Sequence, residues 1–369
     1  MSTRYQFGIA STEDDAQLRA CMAKNHMGED ISISFRREPS YFDACKIQGD
    51  NYQIIKCVDS KEDRIVGLGS RFILTANING HARHVGYLAD LRGEAGVRNG
   101  TLLARGYKYL HELHHQQPID YYYSLVLSNN TYALKQLTSQ RAGLPTYHSL
   151  GKILSPALHL DLPKAELKIN GLEFSMATQA KLPEIFAFIQ KQQSKKQFSP
   201  VYKLSDFGSG RLRGLSLEDI YVAYYRNNIV ATIAAWDQYE FRQTHIEAYS
   251  NTMRLVKPFY NSMAKLTPLK PLPNKGDRVP HLYFSMVAVE NNDCDIFSAL
   301  LRHVYRARRT GSWHYAIIGL HEKDPLAECL QDYRSIAASG ELFSVCFPNS
   351  HNKIQTLDQR IPYIELACA

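Results

Sequence analysis

The chain has 369 residues, of which 44% are hydrophobic and 21% charged, and a formal net charge of +7. That balance excludes a polar disordered chain, and no apolar run approaches the roughly 20 residues of a membrane-spanning helix. The length exceeds what one core usually organises, so two domains are expected.

The start, MSTRYQFGIASTEDD, has no apolar core behind a basic segment, so no secretory signal is expected. The seven cysteines show neither a Cys-x-x-Cys pair nor zinc-type Cys/His spacing. A reducing, cytoplasmic location, no metal and no membrane partner are the expectations.

In chain order, Tyr5 to Ala10 reads as a strand. Ser11 or Thr12 caps a following helix whose first turn holds Glu13, Asp14 and Asp15. The stretches from Tyr52 and Arg64 are rich in β-branched and aromatic residues and read as neighbouring strands. Asn79-Gly80 is a hairpin turn that leads into a strand ending at Arg92. Alternation along that strand predicts Leu88, Asp90 and Arg92 on one face and Tyr87, Ala89 and Leu91 on the other. A helix is predicted from about Arg98, with Leu103, Tyr107, Leu110 and His114 toward the sheet. A strand at Ile119, a helix opening at Asn129-Asn130 and a strand over Thr146 to Leu154 complete this half.

Two prolines and a loss of periodicity mark a linker at 156–171, dividing a domain over 1–155 from one over 172–369. Beyond the linker the order recurs: strand and helix, two strands about a turn at Asn227-Asn228, a strand and helix from His281, and again from Trp313. The basic, proline-rich segment Phe241 to Arg278 interrupts it and reads as a surface connection.

The chemistry concentrates between His81 and Lys108, where Arg83, Arg92, Arg98, Arg105 and Lys108 outnumber Asp90 and Glu94. A strand delivering the chain through a glycine turn into a helix N-terminus presents unpaired N–H groups to an anion. The two strand–helix units from Gly86 to Leu137 resemble the acyl-coenzyme A half of the GNAT superfamily of N-acetyltransferases, and the whole chain a tandem of two such domains in an α/β, mixed-sheet fold. The pieces Arg37-Glu38-Pro39-Ser40-Tyr41-Phe42, Trp236-Asp237-Gln238 and Asp358 to Glu365 resemble those of a subgroup of tandem GNAT-like bacterial proteins of uncertain substrate.

The resemblance implies that Arg98, Asn99, Gly100, Thr101, Leu102 and Leu103 form the pyrophosphate turn of acetyl-CoA or another acyl-CoA. Thr101 and Leu103 stand where the family has small residues. Leu91 and Arg92 would pair through their main chain with the cofactor arm, and Asn130 would cap the second helix and contact that arm. The family's thiolate-protonating tyrosine falls at Leu137, so Tyr132, Thr138 or Ser139 is the substitute. Asp90 or Glu94 would accept the amine proton, or Asp90 would instead be locked in an ion pair with an arginine. The turn Val289 to Asp293 has two acids and no glycine, which predicts that the second domain binds no cofactor.

These features imply an N-acetyltransferase acting on a small-molecule or peptide amine. Two alternatives stand beside it: a non-catalytic acyl-CoA sensor or scaffold, and an aminoacyl-tRNA-dependent transferase, the latter disfavoured because no aromatic-basic repeat points to nucleic acid. His114-His115 reads as structural, since adjacent helix residues point apart. No Gly-x-Ser-x-Gly, Walker or dinucleotide motif is present.

Overall fold

A computed structural model describes residues 4–28, 30–94, 96–97, 100–347 and 357–369. The first half runs β1 (Tyr5–Ile9), α1 (Asp15–Ala23), β2 (Ile31–Arg36), α2 (Tyr41–Cys45), β3 (Asn51–Asp59), β4 (Arg64–Ile78), β5 (His81–Gly93), α3 (Gly100–Gln116), β6 (Tyr121–Leu127), α4 (Thr131–Leu137), β7 (Thr146–Leu154) and β8 (Ala157–His159). The second begins with β9 (Leu172–Met176), α5 (Leu182–Gln193), the two-residue strands β10 (Phe207–Gly208) and β11 (Leu212–Arg213), β12 (Ile220–Tyr225), β13 (Asn228–Trp236) and β14 (Gln243–Tyr249). It continues with α6 (Asn251–Ala264), β15 (His281–Val289), α7 (Cys294–Arg309), β16 (Tyr315–Ile318), β17 (Leu320–His321), β18 (Ser335–Ile336) and β19 (Ser339–Cys346).

Two large mixed sheets carry the fold. One has the order β1-β3-β4-β5-β6-β19-β7-β17 and the other β18-β8-β16-β15-β13-β12-β9. The sheets exchange strands. β19, from the far end of the chain, separates β6 from β7 and pairs antiparallel with both. In return β8, inside the segment read as a linker, pairs with β16. A separate ribbon joins β2 to β14, so the segment read as an irregular surface connection from Phe241 contributes a strand and then a helix.

Turn chemistry sets the hairpins. Asn79 (φ 53°) and Gly80 (φ 82°) both adopt positive φ in the β4–β5 turn, as a two-residue hairpin of this twist requires. In the β12–β13 hairpin Tyr225 faces Asn228, so the loop is Arg226-Asn227, one residue earlier than predicted, and both its residues have positive φ.

Helix α3 buries Tyr107, Leu110 and Leu113 against the first sheet. Its C-terminal carbonyls are met by a fully buried cation: Arg71 Nη1 donates to Leu113 O (3.3 Å) and Nη2 to Gln117 O (2.5 Å). A positive charge at this end complements the helix dipole, so Arg71 locks the helix over the sheet. Gln53 Oε1 and the Tyr122 hydroxyl accept the remaining guanidinium N–H groups, and His114 Nδ1 lies 3.0 Å from the same hydroxyl. His114 is thus part of a structural network, as expected.

Candidate active site

The site is built by two interruptions of sheet pairing. Along β4 and β5, Leu68 faces Arg92 but Ser70 faces Ala89, so β5 carries one extra residue there. Asp90 sits in that bulge at φ 55°. A bulge rotates the following side chains, and it overturns the predicted alternation. Leu88 joins the α3 core with Tyr107 and Leu110, whereas Asp90 turns to the opposite face, where Tyr87 and Ala89 pack near Tyr41.

The second interruption lies between β5 and β6. Their parallel ladder holds only for Val85 to Tyr87 against Tyr121 to Tyr123. Gly86 is required within it, because a Cβ there would lie 2.2 Å from the Tyr122 ring. Beyond Tyr87 the ladder stops, and Ser124 Oγ donating to Leu88 O (2.8 Å) is a side-chain tie across the widening gap. Peptide groups of a central strand normally find ladder partners. Here those after Leu88 flank a cavity of about 1290 Å³, which runs from α3 and α4 through the gap to β2, β14 and Tyr283 and Tyr315 of the second half. That exceeds the usual range of ligand pockets, which run to about 1,000 Å³.

Asp90 lines this cavity and is paired. Its Oδ2 lies 2.6 Å from Nη2 of the buried Arg37, accepts from the Tyr41 hydroxyl at 3.0 Å and from Ser70 Oγ at 3.4 Å. All three contacts fall on Oδ2. Burial works against the Arg37 charge, but Asp90 together with Cys45, Tyr41 and Tyr87 holds the guanidinium above its ordinary value. Burial and the same carboxylate push the Tyr41 phenol well up, which keeps it a donor. The predicted alternative of an ion pair with an arginine therefore describes Asp90, and the arginine comes from the polar-aromatic cluster near the start of the chain.

The other expected residues separate. Glu94 lies off the cavity wall, with Arg64 Nη1 at 2.6 Å and Lys24 Nζ at 3.2 Å; Arg64 above all holds its carboxyl below the ordinary range. Leu91 and Arg92 line the cavity, and burial pulls the Arg92 guanidinium down despite Asp90. Leu102 and Leu103, in the first turn of α3, line it too, while Thr101 lines a second pocket of about 520 Å³ with Gln136 and Arg141. Arg98 and Asn99 fall outside the described residues, and Gly100 opens the helix.

Asn130 caps α4, its side chain accepting from Ala133 N at 3.1 Å, and it lies on the cavity wall. Of the three hydroxyls offered in place of the family's tyrosine, Thr138 Oγ1 donates to Leu134 O and Ser139 Oγ to Gln136 O, both within their own turn. Tyr132 is the one that lines the cavity. Leu137 is buried in the α3 core. Gly143 (φ 86°) lies beyond the short helix α4 and brings the chain against Ala104. Sequence reasoning missed Ser70 and Ser124, which come to the cavity through sheet register, and Arg141, which the turn after α4 brings to the small pocket; none carries a local signal.

The second half repeats the scaffold. Thr232 faces Ala288 and Ala234 faces Ser285, with Met286 at φ 50° in the same kind of bulge. Here Met286 N donates to Glu365 Oε2 at 2.9 Å, and the Tyr363 hydroxyl donates to the same oxygen at 2.9 Å. At the start of α7, Asp293 Oδ1 accepts from Asp295 N (2.9 Å) and Ile296 N (3.0 Å). Trp236, next to this bulge, is fully buried core with its Nε1 donating to Arg213 O.

No known family model and no curated protein matches the sequence. Solved structures do match it, over essentially the whole chain. Saccharomyces cerevisiae N-myristoyltransferase with bound myristoyl-CoA superposes with a TM-score of 0.63 at 11% identity, covering 99% of this chain and 86% of that one. A GCN5-related N-acetyltransferase from Sphaerobacter thermophilus gives 0.56 at 10% identity, covering 100% of both chains. The fold is that of the GNAT enzymes, in the tandem form. Among the described residues, no helix is long and apolar enough to cross a membrane.

Proposed function

We propose that this protein is an acyl-CoA-dependent N-acyltransferase whose chemistry takes place in the half over 1–155, with the half over 172–369 completing the acceptor side of the cavity. The observation that carries this is the gap between β5 and β6, bounded by a bulge on one strand and two helix starts on the other side. The relatives of like fold that bind myristoyl-CoA or are named as N-acetyltransferases support it.

In this reading the stretch from Arg98 to Leu103, which leads into α3, meets the pyrophosphate through backbone N–H groups and the helix dipole. Arg141, across the small pocket from Thr101, adds a cation. The pantetheine arm lies along Leu88 to Arg92, and a main-chain N–H near Leu91 holds the thioester oxygen as negative charge develops on it. The acceptor amine enters from the side of Tyr283 and Tyr315, and its nitrogen attacks the carbonyl carbon. As the C–S bond breaks, the nitrogen loses a proton to Asp90 Oδ1, directly or through water, and Tyr132 supplies one to the leaving thiolate. Acetyl is the acyl group the sequence implies, while the size and apolar lining of the cavity favour a longer chain.

Calorimetry with acetyl-, octanoyl- and myristoyl-CoA, followed by turnover with an amine panel, tests this. Binding with turnover, lowered about 10²- to 10⁴-fold by Asp90→Asn or Tyr132→Phe but not by Glu94→Gln, is expected. Absence of binding at millimolar acyl-CoA overturns the reading. Binding without turnover, for which Leu137 in place of a tyrosine is the motivation, identifies an acyl-CoA sensor instead.

A further inference from the structure

Neither core absorbs helix α6. It has no buried residue. Its outward crest carries Leu255 (82% exposed), Phe259 (70%) and Met263 (40%), continued by Leu266 (89%) just past the helix end, with Val256 (46%) alongside. Steps of four, four and three residues align these side chains on one face. Exposed apolar residues scattered singly need no explanation, but a contiguous crest does.

The orientation of the helix is fixed from its other side. Lys257 Nζ donates to Pro273 O (2.6 Å) and Asn274 Oδ1 (3.0 Å), and Asn261 exchanges two hydrogen bonds with Leu272, Nδ2 to O at 3.1 Å and N to Oδ1 at 2.8 Å. Lys270 Nζ ties the following loop to Gly311 O at 2.9 Å. The crest thus points away from the protein because the polar face is fastened down. Charge is equally one-sided: between Glu247 and Asp277 the chain has no acid and five cations, of which Arg254, Lys265 and Lys275 are exposed.

We propose that α6, with the loop to Lys275, docks this protein on an anionic lipid bilayer. An apolar crest flanked only by positive charge matches a surface whose negative headgroups lie above an apolar interior. A protein partner would have to supply an apolar groove with an entirely acidic rim. Docking in this orientation also brings one end of the large cavity to the lipid, because Tyr249 at the end of β14, Met253 in the first turn of α6, and Leu272 and Pro273 beyond the helix line that cavity. An amphiphilic substrate then reaches the cavity from the interface rather than from bulk water. The docking stands independently of acyl transfer, since it is measured without substrate.

The test is co-sedimentation of the full chain with phosphatidylcholine vesicles, with and without phosphatidylglycerol. Binding is expected only with the anionic lipid and is weakened by salt. The double variant Leu255→Ser/Phe259→Ser lowers the partition coefficient about tenfold or more, and Arg254→Gln/Lys265→Gln lowers it by a similar factor. Both variants change exposed side chains, and an unaltered melting curve confirms that each remains folded. Failure of the wild type to bind anionic vesicles overturns the proposal, as does equal binding by the crest variant. A dimer in analytical ultracentrifugation that the crest variant abolishes also overturns it, because the crest is then covered by a second copy.

Discussion

The two halves of this protein have the same bulge and opposite uses for it. Asp90 and Met286 occupy equivalent places, each at positive φ in the extra residue of a central strand. In the first half the bulge borders a large cavity and the start of α3. In the second, both anion-attracting features are already satisfied by the chain itself: Glu365 takes the bulge N–H of Met286, and Asp293 takes the first N–H groups of α7. A scaffold that exposes main-chain donors is therefore not yet a site. In the second half a carboxylate of the same chain fills it first.

The largest test of this contrast removes the pair that keeps Asp90 in place. Arg37→Met strands a carboxylate with 9% side-chain exposure, and a loss of about 3–5 kcal/mol in chemical denaturation is expected, partly restored by adding Asp90→Asn. Glu365→Ala, which leaves the Met286 N–H and the Tyr363 hydroxyl unpaired, is expected to cost about 1–3 kcal/mol. An unchanged denaturation midpoint refutes the plug.

Glu365 also gives a pH signature. Burial first of all raises its carboxyl above the ordinary glutamate value, against the hydrogen bonds that favour its charge. A raised native value means that the folded protein holds the proton more tightly than the unfolded chain. The contribution is complete below the ordinary glutamate range and is lost as pH climbs through the raised native value. Denaturation midpoints of the wild type should fall over that window relative to Glu365→Gln, and parallel curves would refute the assignment.

Thr101→Glu makes the first half resemble the second. A carboxylate in the first turn of α3 should raise stability by about 0.3–1 kcal/mol while weakening CoA about five- to tenfold. Stability and affinity moving together would place the phosphate elsewhere. The smallest effect on ligand binding belongs to Asp293→Ala, which should leave acyl-CoA binding unchanged while a lost helix cap costs about 1 kcal/mol.

Much of this was legible in the sequence. Asn79-Gly80 declared its hairpin through two residues that tolerate positive φ, and Asn130 declared a helix cap. Three things were not legible, each for a physical reason. The bulge at Asp90 reverses a face without any local breaker residue, so period-two counting assigned that side chain wrongly. The partnership of Arg37 with Asp90 spans more than fifty positions and depends on tertiary packing. The crest of α6 is dispersed at helical spacing among lysines and prolines, so summed hydropathy shows a basic loop, and only an observed helix with one face fastened reveals the other as apolar.

The strand exchange between the sheets bears on how the protein comes into being. Gly340 of β19 pairs with Leu127 of β6, contacts remote in sequence of the kind that slow folding. On a ribosome, the wall beside the cavity stays unfinished until β19 has been translated. A fragment ending after Leu154 would lack that wall, so acyl-CoA binding should first emerge only in translation products that extend past Cys346.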